Sequence, residues 1–255
     1  MMKIIALYSI KGGVGKTAAC VNLAYLAASQ QVPTLLCDLD PQGSSTFYFR
    51  IKPESTYNSR KFLKGGKRID KAIRGTDFQG LDLLPADLSY RNLDIQLSGF
   101  AKSRRRLKRL LGEMKGRYDY IFLDCPPNIT LVSENVFEAA DVILVPLIPT
   151  TLSMITYQKL IRFFVDAGLD VGRLHPFLSM VESRKQMHRQ TIREIIAAKL
   201  NPINAYIPYC ADVEKMGFYR APLTHYRPAS LGALAFAKLW HEVKTRLLKE
   251  PPDGH

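Results

Sequence analysis

Seven residues, Lys11-Gly12-Gly13-Val14-Gly15-Lys16-Thr17, constrain what this chain can fold into more than any other feature of it. They follow an apolar stretch, 3–9, that reads as a strand, and they precede Ala18 to Ser29, a stretch of helical composition. A strand, a glycine-rich turn and a helix in that order make an anion cradle. Side chains would block the backbone N–H groups from curling around phosphate oxygens, and the helix N-terminus adds favourable partial charge. Lys16 is spaced to reach the β- and γ-phosphates of a nucleoside triphosphate. Thr17 can offer its hydroxyl to Mg²⁺, a hard cation that prefers oxygen donors. Gly12, Gly13, Val14, Gly15, Lys16 and Thr17 are therefore the expected nucleotide-binding residues.

Further runs of branched apolar residues at 33–39, 81–85, 118–124, 141–147 and 174–181 alternate with helix-like stretches. That alternation predicts an α/β fold with a mostly parallel sheet. Continuous apolar runs such as Tyr120-Ile121-Phe122-Leu123 suit strands covered on both sides, so the expected architecture is doubly wound, with helices on both faces. With 47% hydrophobic and 23% charged residues and no linker or repeat, the 255 residues read as one domain. Residues 50–80, rich in Gly, Lys and Arg, read as a mobile basic segment within it. Leu231, Leu234, Phe236, Leu239, Trp240, Val243 and Leu247 recur at helical spacing and predict a packed final helix.

Carboxylates stand where such a sheet binds ligands. Leu35-Leu36-Cys37-Asp38-Leu39-Asp40-Pro41-Gln42-Gly43 places two acids at a strand's carboxyl end, on the side of the phosphate loop. Residues two apart share a strand face, so Asp38 and Asp40 can both face the site, one ordering a magnesium shell and one an attacking water. Asp124 ends the run 118–124 ahead of Cys125-Pro126-Pro127, the form taken by a carboxylate that supports Mg²⁺ through water.

The loop departs from the general pattern, because Ile10 stands where the first glycine would fall and Lys11 follows it. A second lysine at this point resembles the signature of the deviant Walker A ATPases of the ParA/MinD superfamily, in the small form without an N-terminal helix-turn-helix domain. Gly80 to Ala86, Val145-Pro146-Leu147, Ser183-Arg184 and Ile207-Pro208 through Pro222-Leu223 resemble ParA segments in the same order. The resemblance implies an ATP- and Mg²⁺-dependent homodimer in which Lys11 crosses to the partner's nucleotide, and a catalytic set of Lys11, Lys16 and Asp40. It assigns the hydrolytic water to Asp40, metal support to Thr17, Asp40 and Asp124, and a place beside the adenine to Pro208. Two departures matter. Ala18 stands at a nucleotide-binding position where the family usually has Thr, and Asp212 stands where relatives often have a basic residue.

Lys and Arg outnumber Asp and Glu by 36 to 23, a net +13 that calls for a polyanionic partner. Arg184, Lys185, Arg189 and Arg193 are expected along one helix, and Arg220 and Arg227 near the C-terminal helix; by resemblance to ParA these would hold nucleoid DNA without sequence preference. The denser cluster from Lys102 to Arg109 shares its stretch with Leu107, Leu110 and Leu111 and reads equally as the solvated side of an amphipathic helix. ParA-type partition further implies slow hydrolysis until a ParB-like or cargo-adaptor protein stimulates it. A MinD-like membrane switch needs an amphipathic anchor, which the tail 249–255 lacks, so no stable membrane insertion is expected. A metabolic enzyme on the same loop is the remaining alternative. Cys20, Cys37, Cys125 and Cys210 form no C-x-x-C pair and read as reduced, buried thiols. No signal peptide is apparent, so the expected location is the cytoplasm, on the nucleoid.

Overall fold

The computed structural model describes residues 2–54, 57–197, 200 and 202–249. Its strands are β1 (Lys3–Leu7), β2 (Thr34–Asp38), β3 (Arg74–Gly75), β4 (Leu81–Leu84), β5 (Tyr120–Asp124), β6 (Val142–Leu147) and β7 (Leu174–Leu178). They form one sheet in the order β3-β4-β2-β5-β1-β6-β7. Every pairing is parallel except the antiparallel edge pair of β3 with β4. The expected strands are all present, with shorter ends, and β3 is an addition the apolar pattern could not reveal because it is only Arg74-Gly75.

The helices are α1 (Lys16–Ser29), α2 (Ser44–Tyr48), α3 (Ser59–Lys64), α4 (Lys67–Ala72), α5 (Leu93–Ser98), α6 (Arg106–Gly112) and α7 (Leu131–Ala139), followed by α8 (Thr151–Asp166), α9 (Gln186–Ala197), α10 (Ala211–Glu214), α11 (Met216–Tyr219), α12 (Leu223–Tyr226) and α13 (Leu231–Glu242). The segment read as least regular, 50–80, contains α3, α4 and β3, and its Phe62, Leu63 and Ile69 are buried.

Alternate residues of the central strands enter different cores. Ile4, Ala6, Leu35, Ile121 and Leu123 pack with Val136 and Phe137 of α7 and Leu160 and Phe164 of α8. Ile5, Leu7, Leu36, Tyr120 and Phe122 pack instead with Ala19, Leu23 and Ala27 of α1 and Phe236, Leu239 and Trp240 of α13. Two-sided burial is the physical reason the strands read as unbroken apolar runs. It also sets the end of β1 above helix-covered sheet, so that the loop after it opens at the carboxyl edge.

The final helix is packed as expected, but two members of its stripe are not. Leu231 and Leu234 are 77% and 55% exposed, whereas Phe236, Leu239 and Trp240 are buried. The apolar residues cover more of the helix circumference than its neighbours α1, α12 and the Tyr120 and Phe122 rings of β5 cover. Trp240 satisfies its indole N–H on the Gln30 Oε1 at 3.1 Å. Leu239→Ala should therefore cost about 2–5 kcal/mol in urea denaturation, while Leu234→Ser should stay within about 0.5 kcal/mol of wild type.

Candidate functional site

The loop between β1 and α1 is held open by its glycines. Gly15 has φ +88°, a left-handed conformation that side chains disfavour, and a Cβ there would lie 3.0 Å from the Ser179 Oγ. Helix α1 begins at Lys16 with no side-chain cap and no acid in its first turn. Its leading N–H groups are thus left to an acceptor from outside the helix. Gly12 and Gly13 are exposed at the rim and Val14 is buried beneath them. Lys16 is buried and its Nζ donates to the Lys11 carbonyl at 3.2 Å, which lays the ammonium across the loop. Burial lowers the Lys16 pKa, and the nearby Asp124 and Asp40 charges oppose that shift.

Strands β2 and β5 end in register, Asp38 opposite Asp124, and both carboxylates are buried. Asp38 Oδ2 accepts from the Thr46 N–H at 2.8 Å and the Thr46 hydroxyl at 2.7 Å. Asp124 Oδ2 accepts from the Ser45 hydroxyl at 2.8 Å. The Thr17 hydroxyl also favours the ionised form of Asp124, yet Asp124 Oδ1 is buried with no hydrogen-bond partner. Burial, then the charge of Asp124, raises the pKa of Asp38; burial raises that of Asp124, against the pull of Ser45, Thr17 and Lys16. Two dry carboxylates side by side, one oxygen unsatisfied and one ammonium nearby, suit a divalent cation that takes the rest of its shell from phosphate and water.

Asp40 is half-buried at the mouth of this arrangement. Its N–H donates to Asp38 Oδ1 at 3.3 Å, and its own Oδ1 accepts from the Gln42 N–H at 3.0 Å. The expectation that Asp38 and Asp40 share one face is corrected in detail: Thr46 locks Asp38 inward, and Asp40, beyond the end of β2, is the acid that meets the opening. Pro208 lines a cleft beside the loop with Gly15, Ala18, Met180, Cys210 and Glu214. Lys11 is half-buried, with its N–H on the Ser9 hydroxyl at 3.2 Å.

The basic residues divide differently from the sequence expectation. Arg189 and Arg193 are exposed on α9, but Arg184 and Lys185 lie in the turn before it, where Lys185 pairs with Glu182 at 2.5 Å. Arg227 pairs with Asp212 at 3.0 Å, so that departure from the basic pattern has a partner. Arg220 caps α11 and stacks on Phe47. In the cluster from 102 to 109, Arg104 and Arg105 reach Glu134 and Glu138, while Leu107, Leu110 and Leu111 are buried. Cys20, Cys37 and Cys125 are buried thiols, whereas Cys210 is half-buried in the Pro208 cleft. Ser45, Thr46 and Ser179 were not singled out from the sequence. The available signal was the hydroxyl run Ser44-Ser45-Thr46 directly after Gly43.

A glycine cradle at the carboxyl edge of β1, flanked by two strand-terminal carboxylates, defines a P-loop nucleotide-binding fold of the ParA/MinD type. Residues 2–168 match the family model described as an AAA domain (AAA_31), and the chain belongs to that family. It is 29% identical over 251 residues to the sporulation initiation inhibitor protein Soj of Bacillus subtilis, covering 95% of this chain and 98% of the relative. To the chromosome partitioning protein ParA of Myxococcus xanthus it is 28% identical, covering 98% and 90%. Among solved structures, cobyrinic acid a,c-diamide synthase from Mycobacterium smegmatis with bound ADP and magnesium superposes with a TM-score of 0.82 at 25% identity, covering 99% and 98%. Among the described residues no helix is long and apolar enough to cross a membrane.

The carboxylate pair should leave a signature in the nucleotide-free protein. The Asp38 carboxyl is pushed up from 3.8 to about 8, so the folded state holds a proton that the unfolded state releases. Stability should be greatest at pH of about 4 and fall as pH rises to about 8, by linkage. Asp38→Asn should flatten that fall in urea denaturation series run across the interval; an unchanged slope would refute the raised Asp38 pKa.

Proposed function

We propose that this chain is an ATP-driven positioning switch. ATP and Mg²⁺ bring two copies together, the dimer holds DNA without regard to sequence, and a ParB-like or cargo-adaptor protein stimulates hydrolysis and release. The observation that carries this reading is a second lysine, Lys11, in the loop whose Lys16 stands beside a pair of buried strand-terminal carboxylates. Support comes from the likeness to Soj and to a chromosome partitioning ParA over nearly the whole chain. Function nonetheless resides in the site rather than the fold.

The residues fit the nucleotide and its metal. Gly12, Gly13, Val14 and Gly15 and the start of α1 give a cradle that a Cβ at Gly15 would distort. Lys16 balances phosphate charge, and Thr17 with the unsatisfied Asp124 Oδ1 would hold Mg²⁺, directly or through water, with Asp40 completing the shell. Ala18 and Pro208 shape the cleft beside the loop, where the base would lie. Bound MgATP supplies the phosphoanhydride whose hydrolysis makes the cycle directional. Asp40 orients the attacking water, and Lys11 reaches across to the nucleotide of the other copy. Arg184, Lys185, Arg189, Arg193, Arg220 and Arg227 would supply the phosphate contacts of a protein working in the cytoplasm on the nucleoid.

The likeness to cobyrinic acid a,c-diamide synthase favours a second reading, a small-molecule amide-forming enzyme on the same loop. The two separate in one experiment. DNA retention is measured with ATP, ADP and no nucleotide, then repeated at raised salt, for wild type and Lys11→Ala. Wild type should retain DNA with ATP only and lose it as salt rises, Lys11→Ala should not respond to ATP, and Asp40→Ala should stay trapped on DNA with ATP. Binding that ignores the nucleotide sinks the switch, and rapid turnover on a small carboxylate with an amine, without DNA, supports the enzyme.

A further inference from the structure

Helix α2 joins two places that sequence reading treats as separate. Its first half is tied to the nucleotide site: Ser45 to Asp124 at 2.8 Å and Thr46 to Asp38 at 2.8 and 2.7 Å. Its second half is tied to the basic surface. The Arg220 guanidinium lies 4.5 Å from the centre of the Phe47 ring, and its Nε donates to the Phe47 carbonyl at 3.1 Å. Just beyond the helix, Arg50 Nη2 donates to the Tyr219 carbonyl at 3.0 Å. The helix is only five residues long and Thr46 and Phe47 are neighbours in it, so α2 cannot shift at the carboxylates without shifting at Arg220.

The contact is held from both sides. Arg220 and Arg50 adopt φ of +50° and +58°, left-handed conformations that side chains disfavour and that persist only where surrounding structure holds them. Arg220 lies at the end of α11 with its N–H on the Met216 carbonyl at 2.8 Å. Among the described residues it has no acidic partner, in contrast to Arg227 with Asp212. The Phe47 ring and carbonyl therefore hold one face of the guanidinium and its Nε, and fix the direction in which the fork points.

We propose that Arg220 is a positioning residue that latches α2 through Phe47, and that closure of the site on a nucleoside triphosphate frees its guanidinium for DNA phosphate. This rests on the DNA-binding reading above and assigns its regulation. If Asp124 shifted to hold a cation with Thr17 and Asp40, its hydrogen bond would carry Ser45 with it, α2 would follow, and Phe47 would leave Arg220. By thermodynamic reciprocity, DNA on Arg220 favours the triphosphate-bound form by the same factor.

The test is double-stranded DNA affinity without nucleotide, with MgADP and with MgATP, for wild type, Phe47→Leu, Phe47→Tyr and Arg220→Lys. Phe47 is 48% exposed, so these variants alter no buried core. Phe47→Leu removes the ring from the guanidinium and should raise nucleotide-free affinity on the order of tenfold, toward the MgATP value. Weakening of a merely structural contact would lower affinity instead. Phe47→Tyr keeps the ring and should restore the wild-type nucleotide dependence. Arg220→Lys keeps the charge but not the fork, and should narrow the ratio between MgATP and MgADP. If wild type shows nucleotide-dependent DNA binding and Phe47→Leu leaves its ratio unchanged, the latch is wrong and the DNA reading survives. If wild type binds no DNA in any state, both fall.

Discussion

The burial of Asp38 and Asp124 side by side is the constraint on which the site depends. Two carboxylates end neighbouring strands in register with almost no water to screen them. Either charge alone would be expensive to bury, and the pair more so, because each raises the free energy of ionising the other. The neighbouring chemistry answers that difficulty. Thr46 donates twice to Asp38, Ser45 and Thr17 favour ionised Asp124, and Lys16 brings an ammonium within Coulombic reach. A divalent cation, which Thr17, Asp40 and Asp124 would hold, would answer it more completely than hydroxyls can.

Sheet topology creates the pair. Thr34 to Asp38 and Tyr120 to Asp124 are remote in the chain, and β5 inserts between β1 and β2 to bring them together. The same insertion places Asp124 opposite Leu7, at the foot of the glycine loop, so cradle and carboxylates become one site. Parallel order also sends the carboxyl ends of all these strands but the antiparallel β3 to the same edge, where α1 and α2 begin. The two cores on either side make that edge rigid while leaving the connections at it free to respond.

The basic surface is likewise less uniform than its charge suggests. Exposed pairs such as Arg227 with Asp212 and Lys185 with Glu182 are weak in water and exchange readily for phosphate. Arg220 differs because aromatic stacking and a hydrogen bond hold it to the helix that carries Ser45 and Thr46. Net charge makes a polyanion attractive at long range, but contacts of this kind decide which guanidinium atoms are already engaged within the fold.

Local chemistry made the phosphate loop, the doubly wound sheet and the strand-terminal acids readable from the chain alone. Glycine spacing, apolar runs and a carboxylate at a strand end are short-range signals, each complete within about ten residues. Long-range pairing was not readable. That Leu231 and Leu234 face outward depends on how much helix surface α1, α12 and β5 can cover; that Thr46 turns Asp38 inward depends on where α2 lands. Arg184 and Lys185 fall in a turn because α9 starts later than their charge pattern suggests. The seven residues of the loop determined by themselves that this chain presents a cradle for phosphate. Only the tertiary structure decided that two buried acids and an arginine-latched helix stand around it, because strand order and helix docking are set by burial summed over the whole chain rather than by any local run.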